Sequence, residues 1–220
     1  MENVKAKNKN NEFFDHYATS WDTDRRIKRA EIIAKEIIKE ISQLVDDTSK
    51  YKVIEYGCGT GLISFNLHNY FKDIILIDSS STMIEVLRHK IKKANVSHMT
   101  PYKIDLSNND HEQFNNEVDL IYSSMVLHHI RDIEEILKQF YDLLKKDGYI
   151  MIVDLDEEDG QFHKNEPEFV GHNGFDHKKL KNRLKRVGFR NVTVHTFYNN
   201  VKIINGEEVN YSLFIMIGKR

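Results

Sequence analysis

The chain has 220 residues, 40% of them hydrophobic and 30% charged, enough apolar material for one buried core of ordinary domain size. Lys and Arg number 32 against 34 Asp and Glu, and the net charge of −2 gives no support for bulk binding to nucleic acid or a membrane surface. A single cysteine, Cys58, excludes a disulfide framework within a monomer and a zinc site of several cysteines.

Residues 1–10 are rich in Lys and Asn and hold no apolar run, so a mobile tail is expected there and not a secretion signal. No stretch approaches the roughly 18 uninterrupted apolar residues of a spanning helix. The expected location is the reducing cytoplasm. Ile27, Ala30, Ala34, Ile37, Ile41 and Leu44 recur at spacings of three and four and predict a helix. Tyr51–Glu55 is a short β-rich run that stops in Gly57-Cys58-Gly59-Thr60-Gly61. Leu62, Ile63, Phe65, Leu67 and Tyr70 then read as a helix. Ile74–Ile77 is an apolar strand closed by Asp78, and Ser79–Ser81 can cap the helix carrying Met83, Ile84, Leu87 and Ile91. Tyr102–Ile104 is a weaker strand closed by Asp105, and Val118–Tyr122 is another. Ile133, Ile136, Leu137, Phe140 and Leu144 mark a helix that Asp147-Gly148 stops. Tyr149–Val153 is a strong strand.

Strands alternating with helices over the first 155 or so residues predict a parallel sheet covered on both faces. The segment from Asp154 to Asp176 breaks the pattern and is polar, as lids and binding segments are. A helix resumes over Lys178–Val187. The runs Val192–Tyr198 and Tyr211–Ile217 flank Asn205-Gly206, which favours a hairpin turn.

The glycine cluster lies between a strand and a helix, where a ligand can approach main-chain N–H groups. Asp78 can accept hydrogen bonds from two ribose hydroxyls, and Asp105 from an adenine amino group. All three acids, Glu55 included, end strands on one edge of the sheet. A dinucleotide fingerprint is Gly-x-Gly-x-x-Gly. Here the third glycine follows after one residue, and the loop opens with Glu55, which would repel a pyrophosphate and suit an ammonium.

In this order, Glu55-x-Gly57-x-Gly59-x-Gly61, Asp78, Asp105 and Asp119–Ile130 resemble the motifs of class I S-adenosylmethionine-dependent methyltransferases, in the small-molecule subgroup that includes the quinone-biosynthesis type. Leu143–Ile150 is similar to that family's approach to its fifth strand, and Phe14–Asp22 to its amino-terminal lid. The resemblance is close over roughly residues 13 to 155. It implies a Rossmann-like α/β fold with a doubly wound seven-stranded sheet of order 3-2-1-4-5-7-6, strand 7 antiparallel. The chain is then one domain, 1–220, with a tail and lid helix at 1–24 and an acceptor-site lid at 155–176. S-adenosyl-L-methionine is the implied cofactor and S-adenosyl-L-homocysteine the product. Implied cofactor residues are Tyr17, Trp21, Glu55, Gly57, Cys58, Gly59, Gly61, Asp78, Ser79, Met83, Asp105, Leu106 and Ser123. Gly57 and Gly59 would pack on the methionine portion, Glu55 would lie near its ammonium, and Ser123 would line the passage to the sulfonium. Asp147-Gly148 replaces the family's usual Pro-Gly or Gly-Gly. Trp21 stands where a tyrosine is common in that family and carries no hydroxyl to offer the cofactor.

Methyl transfer from a sulfonium is an in-line displacement and needs no fixed catalytic motif. Two histidines are candidates for a general base, His128 after the fourth strand and His163 in the polar loop. Asp154, Asp156, His163 and His172 are types that bind metals, but their spacing matches no standard site, and no metal is expected. The expected partner is a small-molecule acceptor, with neither nucleic acid nor membrane involved and the chain a monomer or homodimer. Two other readings compete: a non-catalytic S-adenosylmethionine-binding regulator, and an NAD-dependent oxidoreductase, which the acid-first loop disfavours.

Overall fold

Successive strand side chains point to opposite faces of the sheet, and in this chain both faces are apolar. In β1 (Lys52–Tyr56) Val53 enters one buried cluster and Ile54 the other. The same division runs through β2 (Asp73–Asp78), with Ile74 and Leu76 against Ile75 and Ile77. It continues in β4 (Val118–Ser124) and β5 (Leu144–Leu155). The computed structural model describes residues 12–105, 109–166 and 169–220, with the side chains of 109–111 left aside. The tail expected at 1–10 and the cofactor candidate Leu106 lie outside the described residues.

With β3 (Met99–Lys103), β6 (Arg190–Ile204) and β7 (Glu207–Lys219), the sheet has the order β3-β2-β1-β4-β5-β7-β6. Strands β1 to β5 pair in parallel, and β7 runs antiparallel to both of its neighbours. This is the Rossmann-like α/β order that the resemblance implied. Asn205 and Gly206 both have positive φ, at 52° and 82°, and form the predicted hairpin turn.

Residues 12–17 form a helical segment, α1. Helices α2 (Asp24–Ser42), α3 (Ser64–Leu67) and α4 (Ser81–Ala94) cover one face, through Ile33, Ile37 and Ile41, Leu67, and Ile84 and Leu87. Helices α5 (Ile133–Leu143) and α6 (His177–Val187) cover the other, through Ile136, Phe140, Leu180 and Leu184. Side-chain oxygens cap the longer helices: Ser80 accepts from the Met83 N–H, Asp132 from Glu135 and Asp176 from Lys179. Parallel strands all present their carboxyl ends on one edge, so the loops after β1, β2, β3, β4 and β5 meet there.

Two expectations shift. The third strand begins at Met99 and contains Pro101, because β3 is an edge strand where a missing N–H is tolerated. Asp154 belongs to β5 and is fully buried, where the sequence reading put it in a polar loop. Its carboxylate is satisfied inside the fold by His128. Among the described residues no helix is long and apolar enough to cross a membrane.

Candidate functional site

The chain leaves β1 through Tyr56 and turns at once. Gly57 has φ +71°, and a Cβ there would run into the Val126 side chain, so glycine alone fits. The turn hangs on the Ile77 carbonyl, which accepts from the N–H groups of Gly57 at 2.8 Å and Cys58 at 3.0 Å. Asp78 follows and divides its carboxylate. One oxygen accepts from the Gly59 N–H at 2.8 Å, the other from the Ser80 N–H at 2.9 Å. Burial raises the Asp78 carboxyl above its usual range, against these donors that pull it down.

Glu55 is 3% exposed. Its carboxylate accepts from the Ser64 hydroxyl, which lies 2.6 Å from the Tyr122 hydroxyl. Burial pushes the Glu55 carboxyl up to about 8. The adjacent Cys58 thiol is also pushed well up by burial, which makes it a packing group and not a nucleophile.

These residues line a cavity of about 380 Å³. Glu55, Gly57, Gly59, Asp78 and Asp105 reach it from the strand ends. Met125, Val126 and His129 reach it from the loop after β4, and Phe14, Trp21, Arg26 and Arg29 from the amino-terminal segment and α2. The amino-terminal segment is tied down at two points. Asp15 accepts from the Ser80 hydroxyl at 2.5 Å and the Thr82 N–H at 3.1 Å. Asp22 accepts from the Thr60 hydroxyl at 2.5 Å and from Lys90 at 2.7 Å. The Arg26 guanidinium lies 3.8 Å from the Trp21 ring centroid. Burial, with Arg29 and Arg25 nearby, lowers Arg26 to about 10.

Of the residues singled out from sequence, Trp21, Glu55, Gly57, Cys58, Gly59, Asp78, Ser79, Met83 and Asp105 meet at this cavity. Gly61 lies one turn back and donates to the Cys58 carbonyl at 2.8 Å. Ser123 is turned inward, its hydroxyl donating to the Tyr56 carbonyl at 3.0 Å, and the wall there is Ser124. Tyr17 is 43% exposed and packs on Phe13, while Phe14 holds the wall. Phe14 stood within the lid-like segment, but nothing in its spacing separates it from Tyr17.

His128 and His163 are both buried, at 1% and 6% exposed, and do not line the cavity among the described residues. The histidine on the wall is His129, edge-on to Phe14 at 5.2 Å. His128 donates to the buried Asp154 carboxylate at 2.5 Å, and His163 to Glu166 at 2.9 Å. Burial, with the other histidines nearby, drives His129 well below the usual imidazole range. It also lowers His163, which Glu166 opposes. The polar loop is not simply solvated. Phe162, His163 and Phe175 are buried in it, Val170 reaches the cavity, and His172 clips it to the β4 loop. That clip donates the His172 N–H to the His128 carbonyl at 2.7 Å and Nε2–H to the Ile130 carbonyl at 2.9 Å.

The methyltransferase domain family profile matches residues 27–194. An uncharacterized methyltransferase of Schizosaccharomyces pombe is 34% identical over 158 residues, 66% of this chain and 56% of that protein. A ubiquinone biosynthesis O-methyltransferase of Pelagibacter ubique is 28% identical over 149 residues, 62% of this chain and 60% of its own length. The chain thus spans little more than half the length of these relatives. Among solved structures, a SAM-dependent methyltransferase from Aquifex aeolicus superposes with a TM-score of 0.68 at 16% identity. The match covers 93% of this chain and 97% of that one, a likeness of fold. The profile match spans the glycine turn, the acids at the strand ends and the loop after β5, and the chain belongs to the methyltransferase domain family.

Proposed function

We propose that the chain is an S-adenosylmethionine-dependent methyltransferase acting on a small acceptor with an anionic group. One observation carries the reading: three acids from the ends of adjacent strands meet around a glycine turn in a single cavity. Those residues fit the cofactor's chemistry. Glu55 is a buried carboxyl that a ligand ammonium would compensate. Asp78, locked by two backbone donors, would hold the ribose hydroxyls, and Asp105 the adenine amino group, with Met83 and Trp21 bordering them. The bound cofactor supplies an electrophilic methyl group on a sulfonium.

The protein's own work is orientation and exclusion of water. Phe14, Trp21 and Val170 line the cavity, and the described parts of the two flanking segments, 12–24 and 155–166 with 169–176, serve as its lids. Arg26 and Arg29 bring positive charge to the same cavity, where burial first and the like charges of Arg29 and Arg25 next lower Arg26. An acceptor carboxylate or phosphate would pair with these two guanidinium groups. A cavity of this size with a histidine on its wall favours an enzyme over a regulatory binder.

The test is calorimetric titration with S-adenosylmethionine, S-adenosylhomocysteine and NAD, on the wild type and on Asp78→Ala. The expected result is binding of both adenosyl ligands, none of NAD, and about tenfold or greater weakening in the variant. Binding of NAD alone, or of neither adenosyl ligand, would overturn the proposal.

A further inference from the structure

Three histidines from two separate loops converge beside the cavity. His128 and His129 come from the 3-10 turn after β4, and His163 from the loop after β5. One ring nitrogen from each lies within 4.8 Å of the others. The ring centroids are 4.2, 5.1 and 5.4 Å apart.

The orientation of the rings is the decisive feature. His128 donates Nδ1–H to Asp154, whose carboxylate is itself held by the His128 and Leu155 N–H groups at 3.2 and 2.8 Å. His163 donates Nδ1–H to Glu166. In both residues the bonded Nδ1 leaves Nε2 as the lone-pair nitrogen. The His163 Nε2 is buried and, among the described residues, has no hydrogen-bond partner. A carboxylate behind a histidine, fixing its tautomer and freeing the far nitrogen, is the arrangement that supports metal-ligating histidines. Here it occurs twice in one cluster.

We propose that His128, His129 and His163 bind one divalent transition-metal ion of the zinc class, with an open coordination position toward the cavity. Three imidazoles suit zinc, cobalt or nickel and not magnesium or calcium, which prefer oxygen. Three protein ligands with one position left open is the pattern of reactive and not structural zinc sites. Since His129 lines the cavity, the open position faces the space where an acceptor heteroatom would sit. Nitrogen ligands of a tetrahedral zinc lie about 3.4 Å apart, so modest ring rotations close the present spacing. A second cluster, Glu36, Glu40 and His195, makes a poorer site. Lys39 already pairs both of its carboxylates at 2.8 and 3.5 Å. The proposal does not depend on methyl transfer.

The experiment strips the full chain with a chelator and titrates it with Zn²⁺ and with Mg²⁺. Co²⁺ is then added to read the visible bands of a four-coordinate ion. One Zn²⁺ per chain is expected, with no Mg²⁺ binding. His163→Gln and His128→Gln should each weaken Zn²⁺ about a hundredfold or more. Asp154→Asn should weaken it about ten- to hundredfold, and His195→Ala should leave it unchanged. Circular dichroism and S-adenosylhomocysteine titration of each variant separate loss of the metal from loss of the fold. Absence of stoichiometric Zn²⁺, affinity indifferent to both His128→Gln and His163→Gln, or affinity that falls with His195→Ala would overturn the site. The cluster would then be aromatic packing, of the kind His163 makes on Phe169 at 3.8 Å.

Discussion

Glu55 should make cofactor affinity depend on pH with a predictable sign. Its carboxyl is raised to about 8 by burial, so in the free protein it is mostly protonated at pH 7. A ligand ammonium needs the carboxylate. At pH 7 about one Glu55 in ten is ionised, and at pH 5 about one in a thousand. Affinity for S-adenosylhomocysteine should therefore rise about tenfold per pH unit from pH 5 to 7, each step worth about 1.4 kcal/mol, and level off above pH 8. Binding should release close to one proton at pH 6 to 7. Calorimetry in two buffers of different ionisation enthalpy counts that proton directly. Glu55→Gln should abolish the release and flatten the profile, while binding more weakly than the wild type at pH 8. Asp78 is raised as well and contributes at the acid end, so Asp78→Asn is the companion variant. A flat wild-type profile, or an unchanged slope in Glu55→Gln, would refute the assignment of Glu55 to the ammonium.

The same group predicts an effect of opposite direction on stability. A carboxyl whose folded value is raised is ionised in the unfolded chain above about pH 4.5 but stays protonated in the fold until about 8. Its contribution to stability therefore declines across that window. Glu55→Gln should match the wild type near pH 4 and melt higher at pH 8, by thermal denaturation without ligand. Gly57→Ala should lower stability by about 2–5 kcal/mol, from the positive φ and the clash with Val126 together. Adding Val126→Ala should recover the clash part alone, and denaturant titration of the cycle reads the coupling. An additive pair would mean that the two side chains do not meet.

Much of the fold was legible because the sheet announces itself locally. Runs such as Ile74–Ile77 and Tyr149–Val153 are apolar without alternation, since both faces are buried. Asn205-Gly206 marks a turn whose positive φ values few other pairs adopt without strain. The acidic side of the cavity was legible for the same reason, because Glu55 and Asp78 lie at the carboxyl ends of β1 and β2 and Asp105 lies just past β3. The errors share one cause, which is contact between residues far apart in the chain. Asp154 looks like a loop acid until His128, 26 residues earlier, is found bonded to it. Pro101 stands just before the run Tyr102–Ile104 and lies within the strand because β3 takes the edge. His128 and His129 are neighbours in a 3-10 turn, where one points to the core and the other to the cavity. Periodicity has no means of choosing between them.

The two halves of the cavity are held by different kinds of force, and that difference bears on specificity. Glu55 and Asp78 are placed by the sheet ladder, Glu55 opposite Leu76 and Tyr122 and Asp78 opposite Lys103. The opposite wall is placed by a handful of side-chain contacts: the His172 clip, the His128–Asp154 and His163–Glu166 pairs, and the stacking of Phe169 on His163. Under the proposed function, such a wall would change its acceptor through a few residues while the acidic side kept its register. A metal ion held by His128, His129 and His163 would join the loop after β4 to the loop after β5 at one point. It would fix the more adaptable wall as firmly as the ladder fixes the other. Metal loading should then protect the backbone amides of 156–176 from hydrogen exchange and leave those of β1 and β2 unchanged. Equal protection of both walls would mean that the ion acts on the whole fold and not on this junction.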